Sequence, residues 1–395
     1  MLNPRLDALT DYPFQRLRDL VDHVAPGGGD PIMMSLGEPQ HAYPDLVGEV
    51  LHENRHLYGK YPPVTGTPDL LAAISDWLTG RYGLAQDAVD PERHVQPLNG
   101  TREGLFMLAQ AVVPPTKAGR QPAVLIPNPF YQCYVGAAVI AGAEPVFVPA
   151  TQQDNFLPDF AALDRDLLAR TALVYLCSPS NPQGTVADLD YLKNLVAIAR
   201  EFDFVLAVDE CYAEIYDREP PPGVLQACAA LGDSFANVMA FHSLSKRSSV
   251  PGLRSGFVAG DPGVIAAFRK LRNYGGAPSP LPVCAASAAL WRDEAHVGAN
   301  RALYREKFDL AERMLHNRFG FYRPPGGFFL WLDVGDGEAA AAKLWREVGV
   351  RVLPGGYLAR DDDAGNNPGR PYIRLALVQD LSTTAAALER LSSTL

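Results

Sequence analysis

One stretch of the chain carries an amine, hydroxyls and a guanidinium at close spacing: Ser243-Leu-Ser-Lys-Arg-Ser-Ser-Val-Pro-Gly-Leu-Arg254. Lys246 follows Ser243 and Ser245, and Arg254 comes eight residues after it. A lysine amine can add to an aldehyde and form an imine. Serine hydroxyls and an arginine can hold a phosphate on that same small molecule. Before the lysine runs Asn237-Val-Met-Ala-Phe-His242, an apolar stretch of strand length, and after it comes the glycine-bounded Gly256-Phe-Val-Ala-Gly260. The lysine is therefore expected in a tight turn at a strand end. Taken alone, Ser-x-Ser-Lys is also an ordinary surface turn, and the rest of the chain has to decide.

Other candidates recur at the same kind of place. Apolar runs at 123–126, 145–148, 171–177 and 204–208 alternate with helix-like stretches such as Leu189 to Glu201. Short, nearly continuous apolar strands separated by helices predict an α/β fold with a mostly parallel sheet covered on both faces. Ligands of such sheets sit beyond the carboxyl ends of the strands. Tyr131, Asn181, Asp209, Tyr212 and Lys246 all fall just past predicted strand ends. At Asn99-Gly-Thr-Arg102 a Gly-Thr turn opens a helix, where free N–H groups can bind an anion. Gly100, Thr101 and Arg102 are thus phosphate candidates, and an N-cap by Thr101 or Asn99 is the plain alternative. Gly37, in the turn after Ile32 to Leu36, offers a backbone N–H that a substrate can approach closely. Arg374 stands within the apolar strand 371–377, where a charge needs a partner or an anionic ligand.

The elements that must position these groups are legible in outline. Phe14, Leu17, Leu20 and Val21 share one face of an N-terminal helix. A Pro/Gly-rich loop around Lys60 to Pro68 feeds a helix over about 69–82. After Pro278-Ser-Pro-Leu-Pro282 a long helix is expected over 295–319, then a strand at 326–333 and a polar, mobile loop at 360–370. The large domain is expected over 45–275. A smaller α+β domain, combining 1–44 with 276–395, is expected to close over substrate.

Composition narrows the function classes. Of 395 residues, 47% are hydrophobic and 20% charged, a balance that suits a globular protein with a large core. A net charge of −10 argues against sequence-independent nucleic-acid or anionic-membrane binding, which needs clustered cations. Five scattered cysteines without C-x-x-C spacing point to free thiols in a reducing compartment. No apolar run reaches membrane-spanning length and the opening residues lack a leader's apolar core, so a cytoplasmic protein is expected. His52-Glu-Asn-Arg-His56 spells the H-E-x-x-H helix motif of zinc peptidases. Pro62 stands where a third histidine ligand would be, and a solvated helix face is the alternative.

Asn181, Asp209, Tyr212, Lys246 and Arg254 lie 28, 3, 34 and 8 residues apart. With Gly37 and Arg374, this pattern resembles the pyridoxal-phosphate-dependent aminotransferases of fold type I, class I/II, from about residue 37 to 374. The resemblance implies a large domain with a seven-stranded-type sheet, pyridoxal 5′-phosphate as cofactor, and a homodimer with shared active sites. It implies that Lys246 forms the imine with the cofactor and later carries the proton of the substrate α-carbon. Asp209 would pair with the pyridine nitrogen, Tyr212 and Asn181 would meet the phenolic oxygen, and Tyr131 would stack on the ring. Ser243, Ser245, Arg254 and the Gly100-Thr101-Arg102 helix start would hold the phosphate. Tyr61 would reach the phosphate in the neighbouring subunit. Arg374 would grip the substrate α-carboxylate, with Asn181 and the Gly37 N–H assisting.

Ser255 departs from the family, which usually has an aliphatic residue or alanine there. The opening Asn3-Pro-Arg-Leu-Asp segment, Tyr12-Pro-Phe-Gln-Arg-Leu and the Gly37-Glu-Pro-Gln-His turn look most like bacterial N-succinyldiaminopimelate aminotransferases of lysine biosynthesis. That resemblance implies amino transfer between glutamate and succinylated 2-amino-6-oxopimelate, and a second cationic group for the far carboxylates, for which Arg102 is the candidate. Aspartate, alanine or aromatic aminotransferases and pyridoxal-phosphate C–S lyases share the scaffold. The zinc peptidase built on His52 and His56 is the reading from another class.

Overall fold

The computed structural model describes residues 2–232 and 234–395. Seven strands form the main sheet: β1 (Val95–Leu98), β2 (Ala123–Asn128), β3 (Glu144–Pro149), β4 (Thr171–Cys177), β5 (Val205–Asp209), β6 (Val238–Ser243) and β7 (Gly256–Gly260). Their order is β1-β7-β6-β5-β4-β2-β3. All neighbours run parallel except β7, which is antiparallel to both β1 and β6. The mostly parallel α/β sheet expected from the apolar runs is present.

Each central strand feeds two cores because successive side chains point to opposite faces. In β4, Leu173 and Tyr175 join one core, while Val174 and Leu176 join the other. In β6, Met239 and Phe241 go one way and Val238 and Ala240 the other. A strand buried on both faces has no polar alternation, hence the continuous runs.

A second, three-stranded sheet has order β9-β10-β8, from β8 (Phe329–Asp333), β9 (Leu353–Pro354) and β10 (Tyr372–Ala376), all antiparallel. Helices Ala295–Leu315, Gly337–Val348 and Leu381–Thr394 share its core, through Tyr304, Phe308, Leu344 and Leu388 among others. The N-terminal helix Pro13–Val21 buries Leu17 and Val21 against Trp331, Trp345, Leu353 and Leu358.

Helix Leu281–Arg292 differs from the expected division at 276. Cys284, Ala288, Leu290 and Trp291 are buried in the core of the main sheet, with Trp77 and Leu78 of helix Pro68–Tyr82. The prolines that suggested a break cap this helix instead: Pro282 lies in its first turn, where no intrahelical N–H is lost.

The H-E-x-x-H segment is not one helical face. Helix Leu46–Glu53 stops at Asn54, and His56 falls in a 3₁₀ turn over Arg55–Gly59. His56 Nδ1 lies 3.2 Å from the Glu53 carbonyl, and both histidines are exposed. Among the described residues no group of three or more His, Cys, Asp or Glu is arranged to hold a metal. Nor is any of their helices long and apolar enough to cross a membrane.

Candidate active site

The parallel strands β4, β5 and β6 end together, at Cys177, Asp209 and Ser243, with Cys177 in register with Asp209. Beyond those ends opens a cavity of about 390 Å³. Every residue that the resemblance assigned to cofactor or substrate lines it except Gly100 and Tyr61.

Lys246 lies in the four-residue helix Leu244–Arg247 that follows β6 directly. Ser243 caps that turn, its Oγ accepting from the Ser245 N–H at 3.1 Å. Asn300 Nδ2 reaches the Lys246 and Arg247 carbonyls, each at 3.2 Å. Arg247 is buried and anchored on the Leu290 carbonyl at 2.7 Å and Glu294 at 2.6 Å. The Lys246 amine donates to the Gly37 carbonyl at 2.5 Å and lies 5.3 Å from the Phe328 ring centre. Gly37 thus lines the cavity and meets Lys246 through its carbonyl. A Cβ at Gly37 would stand 2.7 Å from the Phe329 ring, so no side chain fits there. Burial lowers the Lys246 pKa to about 8, because the ammonium loses hydration it does not regain; Arg374 and Arg254 push the same way.

Asp209 closes β5 with its carboxylate buried. It accepts from the Tyr134 hydroxyl at 2.9 Å and the Cys211 N–H at 3.4 Å, and burial raises its pKa. Among the described residues it makes no ion pair. A buried carboxylate with neutral donors on one side suits a cationic N–H on the other. Tyr134 gave no signal in the sequence, being an interior residue of helix Gln132–Ala141, stacked on Tyr175 at 4.5 Å.

The candidate anion-holding residues come from three segments. Helix Thr101–Val112 starts at Gly100, and its first residue lines the cavity. Arg254 adopts a left-handed backbone, φ 55°. Its Nη2 donates to the Asn99 carbonyl at 3.2 Å and its Nη1 to the Pro251 carbonyl at 2.9 Å. Gly100, at φ +83°, has its absent Cβ where the Arg254 guanidinium lies. Gly100 therefore acts by making room for that guanidinium. Gly100→Ala is expected to displace Arg254 and weaken pyridoxal phosphate binding about tenfold, or ~1.4 kcal/mol. Equilibrium dialysis checks this, and unchanged affinity would remove Gly100 from the site.

Arg374, on β10, is buried, and burial lowers its pKa to about 10. Its Nη1 donates to Asn181 Oδ1 at 2.9 Å and its Nη2 to the Ser35 carbonyl at 2.7 Å, over the Phe329 ring at 4.3 Å. Two of five guanidinium donors are thus engaged, with no ion pair among the described residues. Tyr212 is buried edge-on to Phe328 and Phe329, at 5.4 and 5.8 Å. Ser255 hydrogen-bonds Ser287 at 2.7 Å, so the departure from the family pattern is a packing substitution behind the site. Tyr61 is fully exposed and outside this chain's cavity.

A second cavity, about 520 Å³, adjoins the first through Tyr12, Arg102, Phe130, Tyr131, Gln132 and Arg254. Arg102 Nε donates to the Tyr131 hydroxyl at 2.5 Å, on the wall common to both. Arg360 lines the outer cavity. The sequence placed it at the start of a mobile loop. In the structure its N–H donates to Asn128 Oδ1 at 3.0 Å, and Asn128 Nδ2 returns a bond to its carbonyl at 2.9 Å.

Among the described residues the chain thus combines, in one cavity, a desolvated amine, a buried carboxylate without an ion pair, hydroxyl and guanidinium donors from Thr101, Ser243, Ser245 and Arg254, and a buried guanidinium with free donors. That set fits a phosphorylated heteroaromatic aldehyde and an α-carboxylate beside it. Comparison with known proteins agrees. Residues 31–391 match the family model of aminotransferase class I and II. An LL-diaminopimelate aminotransferase of Desulforudis audaxviator is 31% identical, over 98% of this chain and 96% of that protein. The 4-dedimethylamino-4-oxo-anhydrotetracycline transaminase OxyQ of Streptomyces rimosus is 32% identical, over 97% and 99%. A solved aminotransferase from Neisseria meningitidis is 41% identical, with TM-score 0.94 and full coverage of both chains. This chain belongs to the class I and II aminotransferases, fold-type I enzymes that use pyridoxal 5′-phosphate.

Proposed function

We propose that this aminotransferase moves an amino group between glutamate and the ketone of a diaminopimelate skeleton whose far nitrogen is succinylated. The observation that carries the transfer itself is Lys246, Asp209 and Arg374 lining one cavity. The diaminopimelate skeleton is supported by the LL-diaminopimelate aminotransferase at 31% identity. The acylated form is supported by charge. Three arginines line the outer cavity, Arg102 and Arg254 on the wall shared with the inner site and Arg360 beyond it, and among the described residues its one carboxylate, Glu103, is tied to Arg272 at 2.8 Å. A free distal ammonium finds no free anion there, whereas an acylated nitrogen is neutral and adds a carboxylate.

The roles follow from position. Pyridoxal phosphate, when bound, supplies an electron-accepting ring that stabilises negative charge at the substrate α-carbon. Asp209 would hold a proton at the pyridine nitrogen, and Tyr131 would cover the ring face. Tyr212 and Asn181 would stand near the phenolic oxygen. Ser243, Ser245, Arg254 and the Thr101 helix start would hold the phosphate. Arg374 would clamp the α-carboxylate and so turn the α-hydrogen toward Lys246, whose neutral amine accepts that proton and returns it on the far side of the transfer. Tyr61, exposed here, would complete a second subunit's phosphate site in a homodimer.

The test is substrate profiling of the purified enzyme with 2-oxoglutarate, scoring glutamate formation. N-succinyl-LL-diaminopimelate is expected to exceed LL-diaminopimelate in kcat/KM by at least about tenfold, ~1.4 kcal/mol. Preference for free LL-diaminopimelate, aspartate, alanine or an aromatic amino acid would replace this reading. Release of pyruvate and ammonia without glutamate would make the protein a lyase.

A further inference from the structure

We propose that the outer cavity is the subsite for the far carboxylate of the substrate, with Arg360 and Arg102 as its specificity-determining residues. The inference rests on the aminotransferase reading and adds to it where, and by what groups, the distal end is read.

Three observations carry it. The outer cavity adjoins the site that holds Lys246 and Arg374, the two sharing Tyr12, Arg102, Phe130, Tyr131, Gln132 and Arg254, so a long substrate anchored at Arg374 has this cavity as its neighbour. Its walls are mostly apolar, with Phe106, Met107, Phe130 and Val135 suiting methylene groups. And two of its arginines are unpaired: among the described residues neither Arg102 nor Arg360 makes an ion pair.

Arg360 is held in place by neutral groups. Its guanidinium meets the Thr10 hydroxyl and lies 5.4 Å over the Phe130 ring. Its backbone is fastened to Asn128. Asp361, the adjacent acid, is directed elsewhere, to Arg370 at 3.5 Å and Asn367 at 2.8 Å. Burial and the charge of Arg16 lower the pKa of Arg360, and the charge of Asp361 opposes them in part. Arg102 is likewise held by a neutral partner, the Tyr131 hydroxyl. A guanidinium fixed by neutral contacts at the end of an apolar sleeve is preorganised for a carboxylate. The same two charges disfavour a free ammonium, which gives the subsite a sign as well as a length.

The experiment uses the cofactor-loaded enzyme and two non-reacting probes of equal length, pimelate and heptanoate, measured by calorimetry. Pimelate carries the second carboxylate and heptanoate ends in a methyl group. Wild type is expected to bind pimelate at least tenfold more tightly. Arg360→Gln is expected to erase most of that ratio, Arg360→Lys to keep most of it, and Arg360→Glu to invert it. In turnover, Arg360→Glu should also raise LL-diaminopimelate relative to its N-succinyl derivative. A ratio near one in wild type, or one that Arg360→Gln and Arg360→Glu leave unchanged, overturns the subsite. Because the probes do not react, a wrong choice of physiological substrate would appear in the turnover profile and not in this ratio.

Discussion

Lys246→Ala is expected to lower kcat by about 10⁴-fold or more, because the proposed mechanism gives that one group both the capture of the carbonyl and the movement of the α-proton. The structure gives that lysine one acceptor, the Gly37 carbonyl, and an aromatic wall on Phe328. Desolvation brings its pKa from 10.5 to about 8, so at pH 7 roughly a tenth of the amine is neutral, against well under a thousandth for a solvated lysine. The sign of the pH dependence follows. Protonation blocks the lone pair, so the rate at which apoprotein captures pyridoxal phosphate should climb about tenfold per pH unit below about 8 and level off above it. Stopped-flow absorbance at constant ionic strength measures this directly. A rate still climbing beyond pH 10 would mean the amine is solvated in solution. The alanine variant should still hold the cofactor through the Ser243, Ser245 and Arg254 group, reversibly and without a spectral change on adding glutamate. A variant that retained amino transfer would move the chemistry to another residue.

Why some of this was legible and some not comes down to which interactions leave a trace in local sequence. Strands β2, β4, β5 and β6 announce themselves because burial on both faces demands uninterrupted apolar residues. Asp209 and Lys246 stand out because a charge directly after such a run must lie at the strand's end, where β4, β5 and β6 converge. Strand β1 left no such trace: Pro97 interrupts it, and only its antiparallel pairing with β7 makes it a strand. Helix Leu281–Arg292 was hidden behind a proline-rich stretch that reads as a break, although Pro280 at its N-cap and Pro282 in its first turn are both compatible with a helix start. Tyr134 is 75 residues from Asp209, and nothing in an apolar helix marks the one tyrosine whose hydroxyl is used. Arg360 was concealed by its neighbours, since a run of Asp, Asn and Gly reads as solvated loop. What secures Arg360 is Asn128, 232 residues away. The Gly37 carbonyl as partner of Lys246 left no signal, because periodicity assigns a turn but not the side chain that meets it.

Arg374→Ala is expected to cut kcat/KM for every α-amino acid by about 10²–10³-fold, or roughly 3–4 kcal/mol, within the range for truncating one side of a buried charge pair. The loss should fall mainly on KM, because the α-carboxylate is held equally in the bound substrate and as reaction proceeds. Two features make the arginine specific. Asn181 at 2.9 Å and the Ser35 carbonyl at 2.7 Å fix the guanidinium plane, leaving donors that can meet both carboxylate oxygens. Arg374→Lys should therefore rescue little, since an ammonium cannot reproduce the planar fork. Asn181→Ala and Arg374→Ala together should cost less than the two losses added, as expected for residues acting through one geometry. Burial lowers the Arg374 pKa only to about 10, so the charge is complete at pH 7. Carboxylate binding should accordingly show no titration of Arg374 and persist above the range where Lys246 titrates. The discriminating comparison is an amine lacking the α-carboxylate. Its single-turnover rate should be nearly the same in wild type and Arg374→Ala, because the group the arginine recognises is missing from both reactions. An equal loss on that amine and on glutamate would mean that Arg374 supports the fold of β10 and Phe329 rather than the substrate.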